Sequence, residues 1–394
     1  MVGGYYHTTE LTNAQPNVYG LQAGLAGFIG ADTVLLSEGQ FSLESDLMSV
    51  FGLLRFDLND QWSGTVGARY SDETKDVTRD SRCLTGNVLT NAVAPGPGFL
   101  AGAGLCPDPA LNGFSDSRSS DNLMPEATLN YKPNDDVMFY VNIGNSAKSG
   151  GFASATNARA QTLEYDDESV IGGEIGVKTS FWDGRGELNA AVFRSEFSDL
   201  QVNSFLINPG PPQTTEPVIA NAADAVSQGI EIDGRILATD WLTLGGSIAF
   251  LDAEFEKFPA APCNRQTTPG PLGFCDLSGK SLPFAAENSG NLFAEIDLPL
   301  ANGWDLDGGV LLSFSGEYFT DGTLDETAVQ DSWSRVGAHI GITYQDMYKL
   351  ELIGSNLTDE KVLGSTQPFG GSYNLGYLDP PKMVKVRLSA KFGQ

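Results

Sequence analysis

The segment Val384-Lys-Val-Arg-Leu-Ser-Ala-Lys-Phe392 alternates between apolar and polar side chains almost to the end of the chain. Successive side chains of a β-strand point to opposite faces, so this segment has one apolar face and one charged face. Val384, Val386 and Leu388 lie together on the apolar face. Such a face has to be covered, either by a second layer of protein or by lipid.

The same period of two recurs along most of the 394-residue chain. It predicts strands of about 8–12 residues, and the sequence offers no second layer to cover them. No apolar run approaches the roughly 18 residues of a membrane helix, which excludes a helical membrane protein. We therefore predict an all-β fold, a transmembrane antiparallel β-barrel of about 14 strands that forms one domain over residues 1–394. The clearest alternating segments are 62–70, 123–131, 171–181, 230–236, 306–315 and 336–344.

Connections between the predicted strands alternate between short and long. Outer-membrane barrels place short turns in the periplasm and long loops outside, so this alternation fits such a barrel. A break in the alternation around Phe193 to Phe197 predicts a β-bulge. The predicted short turns are 58–60, 132–135, 182–185, 238–240, 300–303 and 345–346, and the predicted long loops are 10–40, 75–120, 150–165, 206–222, 257–282, 318–331 and 359–377.

Aromatic residues cluster beside the predicted short turns. Amphipathic rings favour the boundary between lipid and water, so the cluster predicts one aromatic girdle. Aromatic residues also favour strands in general, which is the alternative explanation. The residues concerned are Phe56, Trp62, Tyr131, Phe139, Phe181, Trp182, Trp241, Trp304, Tyr344 and Tyr348.

The formal net charge is −27, from 23 basic and 50 acidic residues. Nucleic acid is not expected as a partner, because phosphate binding requires basic surfaces. Solvated loops explain the acidity most simply; cation capture is the functional alternative. The sequence contains no nucleophile elbow, no H-E-x-x-H motif and no phosphate loop, so we predict no enzyme and no cofactor.

Two acidic groups in the loops, 164–168 and 321–326, could bind Ca²⁺ together with loop carbonyls. They lack the spacing of a dedicated calcium loop, which favours ordinary solvated loop edges. The four cysteines form two local pairs in turn-rich segments, Cys83 with Cys106 and Cys263 with Cys275. Only two histidines and no C-x-x-C are present, so loop disulfides in an oxidising compartment fit better than zinc.

Five short segments, in order, resemble the C-terminal barrel portion of TonB-dependent outer-membrane receptors. Each segment is weak alone, but their order and spacing together are specific and extend over nearly the whole chain. The segments are Ser149-Gly-Gly-Phe152, Glu174-Ile-Gly-Val-Lys178, Leu188-Asn-Ala-Ala-Val-Phe193 with Asp199-Leu-Gln201, Asn221-Ala-Ala with Gly229-Ile-Glu231, and Gly354-Ser-Asn-Leu-Thr-Asp359.

The resemblance implies a protein of the bacterial outer membrane that takes up a bulky nutrient, with a ferric siderophore as the first expectation. A receptor for a vitamin, haem or a glycan, a plugless passive channel, and a soluble lectin-like protein are the alternatives. In the family a signal peptide, a TonB-contacting box, a plug domain and about eight strands precede this region, and the resemblance implies part of a 22-stranded barrel. Expected partners are outer-membrane lipid, the barrel-assembly machinery, an iron–siderophore complex and, for the full-length parent, the TonB energy-coupling protein.

Candidate residues follow from the predicted inward face of the strands. In the intact family such residues face the plug or the transport path; wall salt bridges that hold the barrel shape are the alternative. Family members usually end on an aromatic residue that is recognised during assembly, and here Phe392 is followed by two more residues. No ligand-binding residue in the loops is identified. The inward-facing candidates are Glu174, Lys178, Glu231, Asp233, Arg235, Lys385 and Arg387.

Overall fold

A computed structural model describes residues 1–20, 33–87, 93–95, 109–154, 163–208, 214–264, 266–270, 274–369 and 373–392. Fourteen of the fifteen strands of a single antiparallel sheet follow one another in chain order, and the short strand Val93–Pro95 pairs alone with the end of Trp62–Asn87. Within the described residues its two edges are the first and the last strand. The strands are β1 Val2–Gly20, β2 Thr33–Asp57, β3 Trp62–Asn87, β4 Phe114–Asn134, β5 Val137–Lys148, β6 Glu168–Phe181, β7 Gly186–Asn208, β8 Thr214–Thr239, β9 Leu242–Lys257, β10 Asn288–Pro299, β11 Trp304–Ser315, β12 Trp333–Tyr344, β13 Tyr348–Ser355 and β14 Met383–Ala390.

The register places the apolar side chains of neighbouring strands in common rows. Val386 faces Leu352 of β13, and Leu352 faces Ile340 of β12. These three side chains are 71%, 48% and 51% exposed, so no protein covers them. The rows continue across all fourteen strands to Val50 on β2 and Val2 on β1. They form one outward apolar band.

Short connections lie at one end of the sheet, as predicted. The turn between β6 and β7 holds Trp182 and Asp183 with positive φ, and the turn between β12 and β13 does the same with Gln345 and Asp346. Aromatic rings line this end on adjacent strands: Trp62 stacks on Tyr131 at 4.6 Å, and Trp304 lies 4.5 Å from Tyr344. These contacts are what a girdle would produce. Among the described residues, no helix is long and apolar enough to cross a membrane.

Several predicted long loops are shorter than expected. The strands β1, β2, β3, β7 and β8 have 19 to 26 residues, whereas a membrane crossing needs about 9–11. The extra residues continue the hairpins beyond the apolar band into the segments 10–40, 75–120 and 206–222. Main-chain pairing continues along these extensions, although the apolar and polar alternation of the sequence does not.

The predicted bulge lies farther along β7 than the sequence indicated. β7 pairs with β8 without interruption through Phe197, and the register shifts between Phe197 and Gln201. Asp199 has a φ of 55° there. The broken alternation at Phe193 to Phe197 has another cause: the inward ring of Phe193 lies over Gly229, where a Cβ would be 3.0 Å from the ring. An aromatic residue therefore occupies an inward position beside a glycine.

Buried apolar side chains lie mainly where loops fold back on the strand extensions. One cluster joins Phe41 and Val77 to Phe152 and Leu163. The other joins Phe255 of β9 to loop residues Phe258, Leu277 and Leu324. The core thus sits at the loop end of the sheet, beyond the apolar band.

Candidate functional site

All seven inward-facing candidates lie on the polar face of the sheet, opposite the apolar band. Five of them are grouped on β6 and β8. The hydroxyl of Tyr140 donates to Glu174, and the ammonium of Lys178 lies 5.5 Å from the centre of the same ring. The ring lies flat over Gly176, where any Cβ would be 2.5 Å from it. A glycine on β6 therefore allows this aromatic residue to lie along the wall.

Across β7 and β8 two further members of this group, Asp233 and Arg235, bind neighbouring side chains. Arg235 donates two hydrogen bonds to Glu187, at 3.1 and 2.9 Å. Asp233 accepts from the amide of Asn189 at 2.9 Å. These cross-strand contacts agree with wall salt bridges, which were the alternative to a role in transport.

An open recess of about 510 Å³ lies beside this group on the same face. Glu126, Glu174 and Glu231 surround it, and Gly144 and Gly172 form part of its wall. Among the described residues that line it, none is lysine or arginine. The recess therefore favours a cationic group over an anion.

The other two candidates lie on β14 in a row of charged residues. Asp307, Gly341, Glu351 and Arg387 are direct register partners on β11, β12, β13 and β14. Lys349 bridges Asp307 and Glu351: its Nζ lies 3.0 Å from a carboxylate oxygen of each. Arg387 contacts Glu351 at 3.5 Å.

Three of the short sequence segments meet at the loop end of β5 to β8. The side chain of Gln201 donates to the carbonyl oxygens of Ser149 and Asp166, at 3.2 and 3.0 Å. Asn221 accepts from the N–H of Asp166 and donates to its carbonyl, both at 2.7 Å. Gln201 and Asn221 belong to segments that resemble the family, but the sequence alone predicts no role for either side chain. Because both side chains hold the main chain of the same loop, their function is to position it.

The acidic group 164–168 surrounds an arginine that sequence analysis did not single out. Arg118 of β4 lies 2.9 Å from an oxygen of each of Glu164, Asp166 and Asp167. The arginine supplies the counter-charge that a calcium ion would otherwise provide. Among the described residues, no group of three or more carboxylates, histidines and cysteines is arranged to hold a metal ion.

Asp167 is the centre of this network, beyond the apolar band. Burial of its carboxylate acts to raise the pKa. The N–H of Gly150 and the side chains of Ser120, Arg118 and Asn122 all donate to the charged form. Their combined effect is larger and lowers the pKa of Asp167 to about 2.

The second acidic group stabilises a tight loop. One oxygen of Asp321 accepts from the N–H and hydroxyl of Thr323. Asp325 accepts from the N–H of Thr327 at the start of the short 3-10 helix Glu326–Ala328. The side chain of Asn264 donates to the carbonyl of Leu324, which joins this loop to the neighbouring one.

That neighbouring loop contains a disulfide between Cys263 and Cys275, the second pair proposed from the sequence. The loop packs through Phe258, Ala261 and Leu277 on the extended end of β9. The other proposed pair lies outside the described residues, since they exclude Cys106 and the side chain of Cys83.

Comparison with known proteins identifies the fold. The family model described as TonB dependent receptor-like, beta-barrel matches residues 2–357. The chain belongs to this family. As a TonB-dependent receptor-like β-barrel it is a protein of the bacterial outer membrane, and its apolar band faces lipid.

Relatives of this TonB-dependent receptor-like β-barrel include siderophore receptors. The probable TonB-dependent siderophore receptor PiuA of Acinetobacter baumannii is 24% identical over 149 residues, which are 36% of this chain and 19% of PiuA. The structure of the ferric yersiniabactin uptake receptor FyuA from Yersinia pestis is 13% identical, with a TM-score of 0.69 over 100% of this chain and 56% of FyuA. The closed form of the ferric-catecholate import receptor Fiu from E. coli is 14% identical, with a TM-score of 0.60 over 99% of this chain and 55% of Fiu. The chain thus spans about half the length of these solved receptors.

Proposed function

We propose that this barrel belongs to an energy-coupled outer-membrane receptor that binds and imports a ferric siderophore. The family match over residues 2–357 is the observation that carries the proposal. FyuA is named as a ferric yersiniabactin uptake receptor, Fiu as a ferric-catecholate import receptor and PiuA as a probable siderophore receptor, and all three resemble this chain in fold or sequence. Transport rather than catalysis is the role of the family, and we propose no enzymatic activity and no cofactor.

The loop end of the sheet supports this assignment. The described parts of the loop closed by Cys263–Cys275 and of the loop around Asp325 pack on the wall, and Gln201 and Asn221 hold Ser149 and Asp166 at the two described ends of the segment 149–168. Ligand contacts made by loop residues that are already held in this way need less ordering when the ligand binds. We propose that these loops bind the iron complex and that the seven inward-facing residues line its path.

The expected partners follow from the same assignment. We propose that the whole receptor obtains energy through the TonB protein, and that the barrel-assembly machinery recognises Phe392, whose side chain is 82% exposed. The domain is proposed to comprise residues 1–394.

The test measures ligand binding by the 394-residue chain folded in detergent micelles. Quenching of tryptophan fluorescence is recorded with ferric catecholate, hydroxamate and citrate complexes, and with haem, cobalamin and a glycan. We expect saturable binding of a ferric complex, with a Kd at least about tenfold higher after residues 257–282 are replaced by a short Gly-Ser turn. Replacement of the short turn 300–303 is the matched control and should leave the Kd unchanged.

Preferential binding of haem, cobalamin or the glycan would contradict the siderophore assignment and support another nutrient. Binding that is unaffected by loss of residues 257–282 would show that this loop does not contact the ligand. A passive channel is the second candidate, since fourteen strands lie within the range of closed bacterial barrels. Steady conductance of the same preparation in a planar bilayer, without saturable binding, would favour the channel.

A further inference from the structure

The loop between β11 and β12, residues 316–332, encloses a carboxylate. Asp321 lies inside this loop and is only 5% exposed. Its Oδ1 accepts from the N–H and the hydroxyl of Thr323, at 2.9 and 3.1 Å. The same oxygen accepts from the N–H of Asp325 at 3.3 Å. One oxygen of the Asp321 carboxylate is therefore fully used by the loop itself.

The other oxygen of Asp321 has no such partner. Among the described residues nothing donates a hydrogen bond to Oδ2, although the loop closes this atom to solvent. Asp321 also takes part in none of the ion pairs that the described residues form. A buried carboxylate is costly unless it is paired and hydrogen-bonded. The site therefore calls for a positive charge next to Oδ2.

A second buried carboxylate increases this demand. Asp325 is 2% exposed and lies four residues farther along the same loop. Its Oδ1 accepts from the N–H of Thr327 at 2.8 Å and from the side-chain amide of Gln266 at 2.9 Å. In the other acidic group of the loops, Arg118 provides the positive charge. Asp321 has no counterpart of that arginine among the described ion pairs.

Calcium is the cation that suits this loop best. Asp321, Thr323 and Asp325 have the spacing of the first, third and fifth ligands of a dedicated calcium loop, although Glu326 stands where that loop has its glycine. Ca²⁺ lies about 2.3–2.6 Å from its oxygen ligands, closer than the roughly 2.7–3.2 Å of a hydrogen-bonded nitrogen. It therefore fits against an oxygen that the loop closes to water and to longer side chains. Mg²⁺ usually keeps several of its waters, for which a closed site has no room.

We propose that residues 316–332 bind a Ca²⁺ ion, with Oδ2 of Asp321 as a direct ligand. Asp325 supplies the second negative charge, and main-chain carbonyls of the loop supply further ligands. Because only two carboxylates take part, we expect the affinity of a weak extracellular site, with a Kd of about 10⁻⁴–10⁻³ M. Outer-membrane barrels place their long loops outside, where this loop meets the ions of the medium.

Calcium at this position stabilises two loops at once. The amide of Asn264 in the neighbouring loop donates to the carbonyl of Leu324 at 2.9 Å. The amide of Gln266 in the same neighbouring loop donates to Asp325 at 2.9 Å. Leu324 also packs in the buried cluster of that loop. A cation that fixes Asp321 and Asp325 therefore also orders the loop closed by the disulfide.

The test measures amide hydrogen exchange of the 394-residue chain folded in detergent micelles. Samples contain EDTA, about 5 mM CaCl₂ or about 5 mM MgCl₂. With a Kd of about 0.5 mM, calcium should slow exchange in residues 316–332 about tenfold relative to EDTA. A smaller slowing should follow in residues 274–282. Residues 163–168, whose carboxylates Arg118 already neutralises, should not respond.

This comparison of metals uses the wild type and does not depend on the folding of any variant. Unchanged exchange of residues 316–332 in calcium, or equal slowing by magnesium, would overturn the proposal. No sample contains an iron complex, so either result leaves the proposed siderophore uptake untouched. Failure of siderophore binding would equally leave the calcium site untouched.

Variants identify Asp321 as the ligand. Asp321→Asn keeps the size of the side chain but removes its charge, and it should lower the calcium affinity at least about tenfold. In EDTA the same variant should exchange no faster than the wild type in residues 316–332, because it buries no unpaired charge. Asp331→Asn makes the same charge change at an exposed position of the loop and should leave the calcium response unchanged. Circular dichroism confirms that each variant keeps its sheet, and equal calcium responses of D321N and D331N would overturn the proposal.

Discussion

The ammonium of Lys349 lies 3.0 Å from an oxygen of Asp307 although these residues belong to strands that are not adjacent. β12 lies between these two strands, and the β12 residue that the ion pair crosses is Gly341, the register partner of Asp307. A Cβ there would be 2.8 Å from the Asp307 carboxylate and 2.9 Å from Cε of Lys349. The absence of a side chain on β12 thus allows the charges of β11 and β13 to meet.

Gly341→Val is expected to break this ion pair. The inserted side chain overpacks the inward face and should lower the free energy of unfolding by about 1–3 kcal/mol. Gly337→Val is the matched control on the same face of β12, where the nearest atom to a new Cβ is 3.6 Å away. Urea unfolding in micelles provides the comparison, and equal losses in the two variants would contradict the role of Gly341.

Val310→Arg and Leu311→Arg test which face of the sheet meets lipid. The two residues are adjacent on β11 and similarly exposed, at 51% and 44%, but they point to opposite faces. Arginine on the lipid face near the middle of the bilayer should cost about 2–4 kcal/mol, while arginine on the inward face should cost clearly less. Folding into lipid vesicles measures both, and equal costs would contradict the assigned orientation.

Asp167→Asn should remove a pH-dependent contribution to stability. Because the pKa of Asp167 falls from the ordinary 3.8 to about 2 on folding, its contribution is fully present above about pH 4 and is lost as the pH falls through about 2. The contribution is at most about 2 kcal/mol, since the side chain is 28% exposed.

The urea midpoints of the wild type and D167N should therefore differ at pH 6 and converge as the pH approaches 2. Asp166→Asn is the control: it removes an ion pair with the same Arg118, but its side chain is 81% exposed. A midpoint difference for D167N that stays constant from pH 6 to pH 2 would count against the lowered pKa.

Phe392→Ala should impair assembly in cells more than folding in vitro. An exposed ring at the end of the chain contributes little packing, so spontaneous folding in detergent should be almost unchanged. Yield in the outer membrane should fall several-fold if the assembly machinery recognises the ring, and Phe392→Tyr should restore most of it. An unchanged membrane yield of F392A would remove Phe392 from that role.

The sequence determined the local pattern of this protein. Period-two alternation needs only the stereochemistry of one strand, so the two faces of β14 and the positions of the short turns could be predicted from neighbouring residues alone. Where strands run beyond the membrane this signal disappears, which explains why β1 to β3 extend farther than predicted. The disulfide between Cys263 and Cys275 was also predictable, because the two residues are only 12 positions apart in the sequence.

Only the tertiary structure decided which distant side chains meet. Arg118 binds Asp167, which is 49 residues later in the sequence. Lys349 binds Asp307 across β12, where the intervening residue is Gly341. Such partners depend on the register between strands and on how loops fold back, and a shift of one residue would exchange the two faces. The sequence thus specified what each strand presents, and the pairing of strands specified what each side chain contacts.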